Sequence, residues 1–258
     1  MPQTKRAKIL GVEVDSLTVS ELNDEIASIA RQGRNELILN VNALGLNLAY
    51  ENKWLRDLFN EAYLVFCDGA GVIIGARILG YEISQRITYA DWMWQLASYA
   101  EKNNLSLFFL GGKPGVADRA STVLKESFPA LPVVGTYHGY FDKSQDHPDN
   151  KCVIQFINHV QPNILIVGLG MPLQERWLME NWQRLHANVM LTGGAVFDYV
   201  SGDLTRAPQW MTDHGLEWLG RLLIEPKRLW RRYILGNPLF LWRVIKQRIR
   251  KSSEGHEE

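Results

Sequence analysis

The stretch that decides the fold runs from Asn163 to Trp177 and reads NILIVGLGMPLQERW. Its apolar run at residues 164–167 is typical of a buried strand, and two glycines and a proline follow it. A strand that ends in glycines before a helix brings backbone N–H groups and the positive helix end to one point, which favours phosphate. An ordinary turn between a strand and a helix explains the same pattern, and this segment alone does not separate the two interpretations.

Further apolar runs predict other strands of the same sheet. The six predicted strands are residues 36–42, 63–68, 106–111, 133–137, 163–168 and 189–192. Helical patterns separate most of them. A capping box at residues 18–21 opens a helix through Ile29, and Pro114 and Pro172 stand where helices should begin. This alternation predicts an α/β fold: a mostly parallel, Rossmann-like sheet with helices on both faces.

Glycines and short polar residues follow five of these strands. Because ligands of such sheets bind beyond the carboxyl ends of the strands, we expect one cleft lined by backbone donors. The residues expected to line it, besides Asp68, are Asn40, Asn42, Gly111, Gly112, Gly168, Gly170, Gln174, Glu175, Gly193 and Gly194. Glycine after a strand is also common loop chemistry, so the prediction depends on the five strand ends taken together.

Asp68 is the candidate catalytic residue. It follows the apolar run at residues 64–67, so its carboxylate is expected at the floor of the cleft, where burial raises a carboxyl pKa towards that of a general base. Asp68 could equally cap the helix that follows it. Asn40 and Asn42 lie on one side of the preceding strand and suit ligand hydroxyl or amide groups, although strand-end turns use asparagine too.

A polar loop adds Arg86 and Thr88 as candidate binding residues, with a solvated arginine as the alternative. The sequence gives no support to metal chemistry. The histidines lack metal-ligand spacing, and no Asp-x-Asp pair exists to hold a divalent ion on a nucleotide diphosphate. If a diphosphate leaves here, N–H groups and arginines must neutralise it. We therefore predict no metal and no cofactor.

Composition indicates a folded protein of a reducing compartment. With 258 residues and 46% hydrophobic content, the chain can bury a large core. Its two cysteines, Cys67 and Cys152, suggest neither a disulfide framework nor a zinc site. The N-terminus lacks the apolar core of a signal peptide, and the sequence has no apolar run of about 18 residues that could span a membrane. We expect a cytoplasmic protein.

A formal charge of zero hides a basic segment at residues 219–251. This segment holds ten Lys or Arg and one acid, Glu225, so its charge is +9, against −6 before it and −3 after it. Its apolar residues, tryptophan included, follow helical spacing, which suits helices lying on an anionic membrane surface. A helical pair packed on the core is the alternative. We predict an α/β core at 1–206, a basic helical appendage at 207–251 and a disordered tail at 252–258.

Seven motifs, in this order, resemble the WecG/TagA/CpsF glycosyltransferase family. They are NVN at 40–42, FCDGAG at 66–71, RIT at 86–88, FLGG at 109–112, VGLGMPLQE at 167–175, GGAVFD at 193–198 and RAP at 206–208. The resemblance covers about residues 9–234, nearly the whole chain. It implies a bacterial, metal-independent, inverting transferase that extends lipid-linked sugars for a surface polysaccharide or teichoic acid.

The resemblance also implies substrates and residue roles. The donor would be a UDP-sugar, and the best-known family members transfer N-acetylmannosamine, or its uronic acid, to the 4-hydroxyl of N-acetylglucosamine on undecaprenyl diphosphate, a polyprenyl carrier. Asp68 would take the proton of that hydroxyl. Asn42 and Arg86 would position acceptor or donor groups, and Gln174 would line the same pocket. The appendage would close over the cleft, and its candidates for binding the donor diphosphate are Arg221, Arg228 and Arg231.

Several alternatives remain. Family members often carry threonine at the position of Asn40, and relatives in exopolysaccharide pathways transfer glucose, so a UDP-glucose-type hexosyltransferase is one alternative. A nucleotide-dependent oxidoreductase is disfavoured because residues 168–173 do not complete G-x-G-x-x-G. A nucleic-acid-binding module built on residues 219–251 is a third. We favour the glycosyltransferase and expect no nucleic-acid partner. A homo-oligomer is possible. We expect a peripheral enzyme on the inner face of the plasma membrane.

Overall fold

The computed structural model describes residues 5–254, apart from the side chains of residues 213, 252 and 254. The strands are β1 (Lys5–Ile9), β2 (Val12–Ser16), β3 (Glu36–Val41), β4 (Leu64–Cys67), β5 (Leu107–Gly111), β6 (Val133–Tyr137), β7 (Ile164–Gly168) and β8 (Val189–Thr192). They form one sheet in the order β1-β2-β4-β3-β8-β7-β5-β6. The β1/β2 pair is antiparallel and the other neighbouring pairs are parallel, which confirms the predicted mostly parallel sheet.

Helices connect the strands and form the end of the described chain. The α-helices are α1 (Val19–Arg31), α2 (Ala43–Glu51), α3 (Lys53–Glu61), α4 (Ala70–Ile78), α5 (Tyr89–Asn103), α6 (Val116–Ser127), α7 (Pro148–Val160), α8 (Leu173–Asn181), α9 (Val196–Val200), α10 (Gln209–Asp213), α11 (Glu217–Ile224), α12 (Pro226–Trp230) and α13 (Gly236–Glu254). A 3₁₀ turn, Trp182–Arg184, follows α8, and a π-helical segment, Arg231–Leu235, joins α12 to α13.

The central strands β4, β5, β7 and β8 are buried at every position, so the middle of the sheet is covered on both faces. In β7, Leu165 and Val167 belong to one hydrophobic cluster, while Ile164 and Ile166 belong to the other. The first cluster includes side chains of α2, α3, α4, α7, α8 and α13. The second includes side chains of α1, α5, α6 and α9. Helices therefore cover both faces, as the alternating pattern predicts.

The six predicted strands are present, and the predicted capping box opens α1. The Glu21 N–H donates to Thr18 Oγ1 at 3.3 Å, and the Thr18 N–H donates to Glu21 Oε2 at 2.7 Å. Helix α1 continues to Arg31, two residues beyond the predicted end. Pro172 directly precedes α8, whereas Gly115 separates Pro114 from α6.

The β1/β2 hairpin was not among the elements predicted from the sequence. Lys5–Ile9 is short, charged and half exposed, so its periodicity gives a weak strand signal. Buried Asp15 joins the hairpin to the sheet, since it accepts a hydrogen bond from Arg6 Nε at 2.8 Å and another from the Val65 N–H at 2.8 Å. The hairpin adds an antiparallel edge to an otherwise parallel sheet.

The long C-terminal helix α13 packs on the core. Phe240 and Val244 are buried in the first cluster, and the Asn47 side-chain amide donates to the Gly236 carbonyl at 2.8 Å. Packing on the core was the alternative to the membrane interpretation. Because α13 continues to Glu254, the predicted disordered tail is wrong for residues 252–254, and residues 255–258 lie outside the described chain. No helix within residues 5–254 is long and apolar enough to cross a membrane.

Gly75 lets α13 approach α4 closely. A Cβ at Gly75 would lie 2.8 Å from Phe240 Cζ, whereas a Cβ at Gly71, also in α4, would meet Ala43 Cβ at an ordinary 3.5 Å. We expect Gly75→Ala to lower the free energy of unfolding by about 1 kcal/mol or more through overpacking. Gly71→Ala should leave it unchanged or raise it by up to about 1 kcal/mol, since alanine favours helix. Urea unfolding of both variants checks the pair, and equal effects would contradict this account of the packing.

Candidate active site

A cavity of about 490 Å³ lies at the carboxyl ends of the central strands. Residues after β3, β4, β7 and β8 line one side, and residues of α11 to α13 line the other. The predicted site residues that line it are Asn40, Asn42, Asp68, Arg86, Thr88, Gly170, Gln174, Gly193, Gly194, Arg221 and Arg228. Four of the five predicted strand ends therefore meet at one cleft, and the end of β5 does not take part.

Three predicted glycines have a packing role instead. A Cβ on Gly111 would lie 2.3 Å from the Gly168 carbonyl oxygen, and the Gly112 N–H donates to that oxygen at 3.3 Å. A Cβ on Gly168 would lie 2.9 Å from the Gly194 carbonyl oxygen. These glycines allow the ends of β5, β7 and β8 to approach one another. The structure thus corrects the prediction that Gly111, Gly112 and Gly168 line the cleft.

Two other predicted residues are also absent from the cleft wall. Glu175 is fully buried next to Gln174 and does not reach the cavity surface. Arg231 is exposed, and its guanidinium lies 5.3 Å from the centre of the Trp230 ring. Its neighbour Arg232 lines the cleft instead. Arg231 and Arg232 follow Arg228 by three and four residues, and either spacing is compatible with one helix face, so the sequence did not decide between them.

Asp68 is held at the cleft by a short polar chain. Asn40 Nδ2 donates to Asp68 Oδ2 at 2.9 Å, and Thr192 Oγ1 donates to Asn40 Oδ1 at 2.7 Å. Burial raises the pKa of Asp68 to about 7, and the Glu217 carboxylate contributes in the same direction. The positive charge of Arg232 opposes this shift. A carboxyl group with this pKa suits general-base work near neutral pH.

Asp68 does not cap helix α4, the alternative considered for it. Helix α4 begins at Ala70, its N-cap is Gly69, and no side chain caps it. For Asn42, the alternative of a turn residue at the strand end is correct. Asn42 is the N-cap of α2, and its Oδ1 accepts a hydrogen bond from the Gly45 N–H at 3.1 Å. Asn42 lines the cleft at the same time, so turn formation and contact with a ligand are compatible there.

Arg86 is not a solvated arginine. Its Nη1 lies 3.7 Å from Glu217 Oε2, and its Nη2 donates to the Thr212 carbonyl at 3.2 Å. These contacts join the loop before α5 to α10 and α11, at the edge of the cleft. Thr88 lies beside Arg86, and its hydroxyl donates to Asp91 Oδ2 at 3.0 Å.

Gln174 joins the two glycine loops. Its Oε1 accepts hydrogen bonds from the Gly170 N–H at 3.1 Å and the Gly194 N–H at 3.0 Å, and its Nε2 donates to Glu175 Oε1 at 2.9 Å. The Gly193 N–H donates to the Val167 carbonyl at 2.8 Å. These three glycine amides are therefore already paired, so the predicted cradle of backbone donors for phosphate is wrong at these positions. Sequence alone could not show this, because Gln174 and Gly194 are 20 residues apart.

Arginines supply the positive charge that these amides do not. Arg221, Arg228 and Arg232 line the cleft from the appendage side. Arg221 lies over the Tyr199 ring at 5.6 Å, and its buried Nε has no hydrogen-bond partner in the described structure. Burial lowers the pKa of Arg232, and the nearby Arg221 charge lowers it further. This arrangement concentrates positive charge opposite the strand ends and favours an anionic ligand.

A family comparison assigns the chain to a family. The model of the WecG/TagA/CpsF family of glycosyl transferases matches residues 7–254. The chain belongs to this family. The match therefore supports the sugar-transfer hypothesis and gives no support to the oxidoreductase or nucleic-acid alternatives.

This glycosyltransferase also resembles named bacterial enzymes along its length. Proteins of Staphylococcus aureus strains NCTC 8325 / PS 47, COL and MSSA476 are each 28% identical over 245 residues, which cover 94% of this chain and 93% of theirs. Each is named N-acetylglucosaminyldiphosphoundecaprenol N-acetyl-beta-D-mannosaminyltransferase. In the described part of this glycosyltransferase, no group of three or more His, Cys, Asp or Glu side chains is placed to hold a metal ion.

Buried Glu175 makes the stability of this glycosyltransferase depend on pH. Burial raises the pKa of Glu175 to about 7 from 4.5, and its Oε2 has no hydrogen-bond partner within the described part of the chain. Because the folded state then holds a proton that the unfolded state releases, the free energy of unfolding should fall as pH rises from about 4.5 to 7, by roughly 3 kcal/mol from this group. Glu175→Gln should flatten this slope in urea unfolding at pH 5 and pH 8. If the free energy of unfolding of Glu175→Gln falls with pH as steeply as that of the wild type, the raised pKa of Glu175 is contradicted.

Proposed function

We propose that this glycosyltransferase moves N-acetylmannosamine from a UDP-sugar to the 4-hydroxyl of N-acetylglucosamine on undecaprenyl diphosphate. The names of the staphylococcal relatives support this sugar and this acceptor. The observation that carries the proposal is a carboxylate of raised pKa, Asp68, in the same cleft as four arginines, three of them from the appendage. A base for the incoming hydroxyl and cations for a departing diphosphate are the two requirements of this transfer.

The chemistry follows from this arrangement. Ionised Asp68 accepts the proton of the acceptor hydroxyl while the oxygen forms a bond to the anomeric carbon of the donor sugar. The bond from that carbon to the UDP oxygen breaks, and UDP leaves with the electron pair from the opposite face, which inverts the configuration. The hydrogen bond from Asn40 fixes Asp68 Oδ2, and Asp68 Oδ1 has no hydrogen-bond partner among the described residues. We assign proton transfer to Oδ1.

The departing UDP needs neutralisation, for which we propose arginines and no metal or cofactor. Arg221, Arg228 and Arg232 reach the cleft from the appendage. Arg228 Nε also donates to Glu225 Oε1 at 2.9 Å, which orients its side chain. Guanidinium groups form paired hydrogen bonds with phosphate oxygens, so a cluster of them can perform the charge neutralisation that a divalent ion performs elsewhere.

Membrane attachment through α13 fits a lipid-linked acceptor. Leu239, Trp242, Ile245 and Ile249 are between 38% and 61% exposed, and their spacing places them opposite Phe240 and Val244, which are buried. Lys246 and Arg250 lie on the exposed side of the same helix. An exposed apolar stripe with tryptophan and basic neighbours suits an anionic membrane surface. We therefore propose a peripheral enzyme on the inner face of the plasma membrane.

Vesicle binding tests the membrane part of the proposal. The protein should sediment with phosphatidylglycerol vesicles more than with phosphatidylcholine vesicles, and a Trp242→Glu, Ile249→Glu double variant should lose this binding. Tyr140→Glu alters an exposed aromatic outside the appendage and serves as the control. Equal binding by the double variant and the wild type would contradict a role of α13.

A transfer assay tests the activity itself. UDP-N-acetylmannosamine and a lipid-diphosphate N-acetylglucosamine analogue are incubated with the enzyme in phosphatidylglycerol vesicles, and the disaccharide lipid is measured by mass spectrometry. We expect transfer from this donor to exceed transfer from UDP-glucose and UDP-N-acetylglucosamine. Preference for UDP-glucose would favour the hexosyltransferase alternative, and absence of transfer from every donor would overturn the proposal.

A further inference from the structure

Tyr89 places a buried hydroxyl in the cleft wall without a partner. The residue begins α5 and is 5% exposed. Its ring packs against Phe66 and Trp92, with centroid distances of 5.9 Å and 5.0 Å. The hydroxyl oxygen is buried and has no hydrogen-bond partner among the residues that the structure describes, although the residue lines the cavity. An unpaired buried hydroxyl lowers stability, and a ligand oxygen would satisfy it.

The surroundings of Tyr89 indicate which part of a ligand it meets. Phe66, which contacts the Tyr89 ring, precedes Asp68 by two residues in the same chain segment. Burial raises the pKa of Tyr89 well above 10, and the Asp68 charge raises it further. The phenol therefore stays protonated throughout the working pH range and can donate a hydrogen bond. Its donor lies close to the proposed base.

We propose that the Tyr89 hydroxyl donates a hydrogen bond to the acceptor sugar, at an oxygen next to the hydroxyl that Asp68 deprotonates. The inference rests on the proposed function, which gives Asp68 its contact with the acceptor. Because Tyr89 lines the same cavity as Asp68 and its ring contacts Phe66, two residues before Asp68, we place the sugar ring that contacts Asp68 within reach of Tyr89. For a 4-hydroxyl of N-acetylglucosamine, the neighbouring oxygens are those of the 3-hydroxyl and the 6-hydroxyl. Tyr89 is thus a specificity residue for the acceptor.

The hydroxyl and the ring of Tyr89 have separable roles. Tyr89→Phe removes only the oxygen and keeps the contacts to Phe66 and Trp92. A merely structural hydroxyl would lower stability when removed, whereas an unpaired one should leave the free energy of unfolding unchanged or raise it. Tyr99→Phe is the matched control, because the Tyr99 hydroxyl donates to Asp24 on the surface at 2.7 Å, outside the cleft.

Steady-state kinetics with the lipid-diphosphate N-acetylglucosamine analogue tests the inference. We expect Tyr89→Phe to lower kcat/KM for the acceptor about tenfold, the loss of one hydrogen bond, with the KM for the UDP-sugar unchanged. Tyr99→Phe should match the wild type. Wild-type enzyme should discriminate against a 3-deoxy or a 6-deoxy acceptor, and Tyr89→Phe should lose that discrimination.

Three outcomes would contradict the Tyr89 inference, and only one of them also contradicts the proposed function. If the wild type transfers sugar and Tyr89→Phe has the same acceptor kcat/KM, the Tyr89 inference fails and the proposed function stands. A raised donor KM with an unchanged acceptor KM would assign the hydroxyl to the donor sugar and overturn the inference. If the wild type transfers no sugar from any donor, the proposed function fails and the Tyr89 assignment fails with it.

Discussion

Asp68→Asn is expected to lower the transfer rate by about 10²–10⁴-fold, the usual contribution of a general base. Asparagine keeps the size of the side chain but cannot accept the proton of the acceptor hydroxyl. Donor binding should survive, because the three appendage arginines of the cleft remain. The transfer assay and calorimetric titration with UDP measure the two effects separately. Asp146→Asn, at a 92% exposed side chain outside the cleft, is the control and should act as the wild type.

The pH dependence gives a second readout for Asp68. Its pKa of about 7 means that the base is increasingly protonated as pH falls, so wild-type kcat/KM should decline below about pH 7. In Asp68→Asn, this decline of kcat/KM at low pH should be absent. The variant should not be less stable at pH 8, because the buried carboxylate of the wild type is unfavourable there. A variant with full activity, or with an unchanged acid limb, would remove Asp68 from the mechanism.

Arg221→Ala combined with Arg232→Ala should have the second-largest effect. Both side chains line the cleft, and groups that stabilise developing charge in an excluded site are each worth about 10²–10³-fold in kcat. We expect the double variant to lose at least about 10²-fold in kcat and to bind UDP weakly. Arg231→Ala is the matched control, since this exposed neighbour does not line the cleft.

Comparison of these arginine variants separates a local effect from a general charge effect. Both variants lower the positive charge of residues 219–251. If these arginines acted only through overall charge, Arg231→Ala would lower kcat in proportion to the one charge that it removes. A role in the cleft predicts that only the changes at Arg221 and Arg232 matter. Equal losses per charge removed would contradict the assignment of the diphosphate to these side chains.

The sheet and the position of Asp68 could be predicted from the sequence because both depend on local signals. Apolar runs of four to six residues mark the buried strands, and a carboxylate directly after such a run must lie at their carboxyl edge. The short, charged strand β1 gives no comparable signal, since its side chains face solvent at alternate positions. The β1/β2 hairpin was therefore not predicted, although β2 contains the buried Asp15.

The finer features of the cleft depend on contacts between distant segments. Gln174 occupies the glycine amides that the sequence suggested for phosphate, and it reaches Gly194 across 20 residues of chain. The choice of Arg232 over Arg231 depends on the π-helical segment that carries both. The unpaired hydroxyl of Tyr89 becomes visible only when its surroundings are known. In each case, side-chain environment rather than residue type decides the role.

The response of transfer to divalent metal shows whether guanidinium groups alone neutralise the departing UDP while Asp68 activates the acceptor. Transfer by wild-type enzyme is expected to proceed at the same rate in excess EDTA as with added magnesium or manganese. Loss of transfer in EDTA, with recovery when either ion is restored, would contradict neutralisation by guanidinium groups alone.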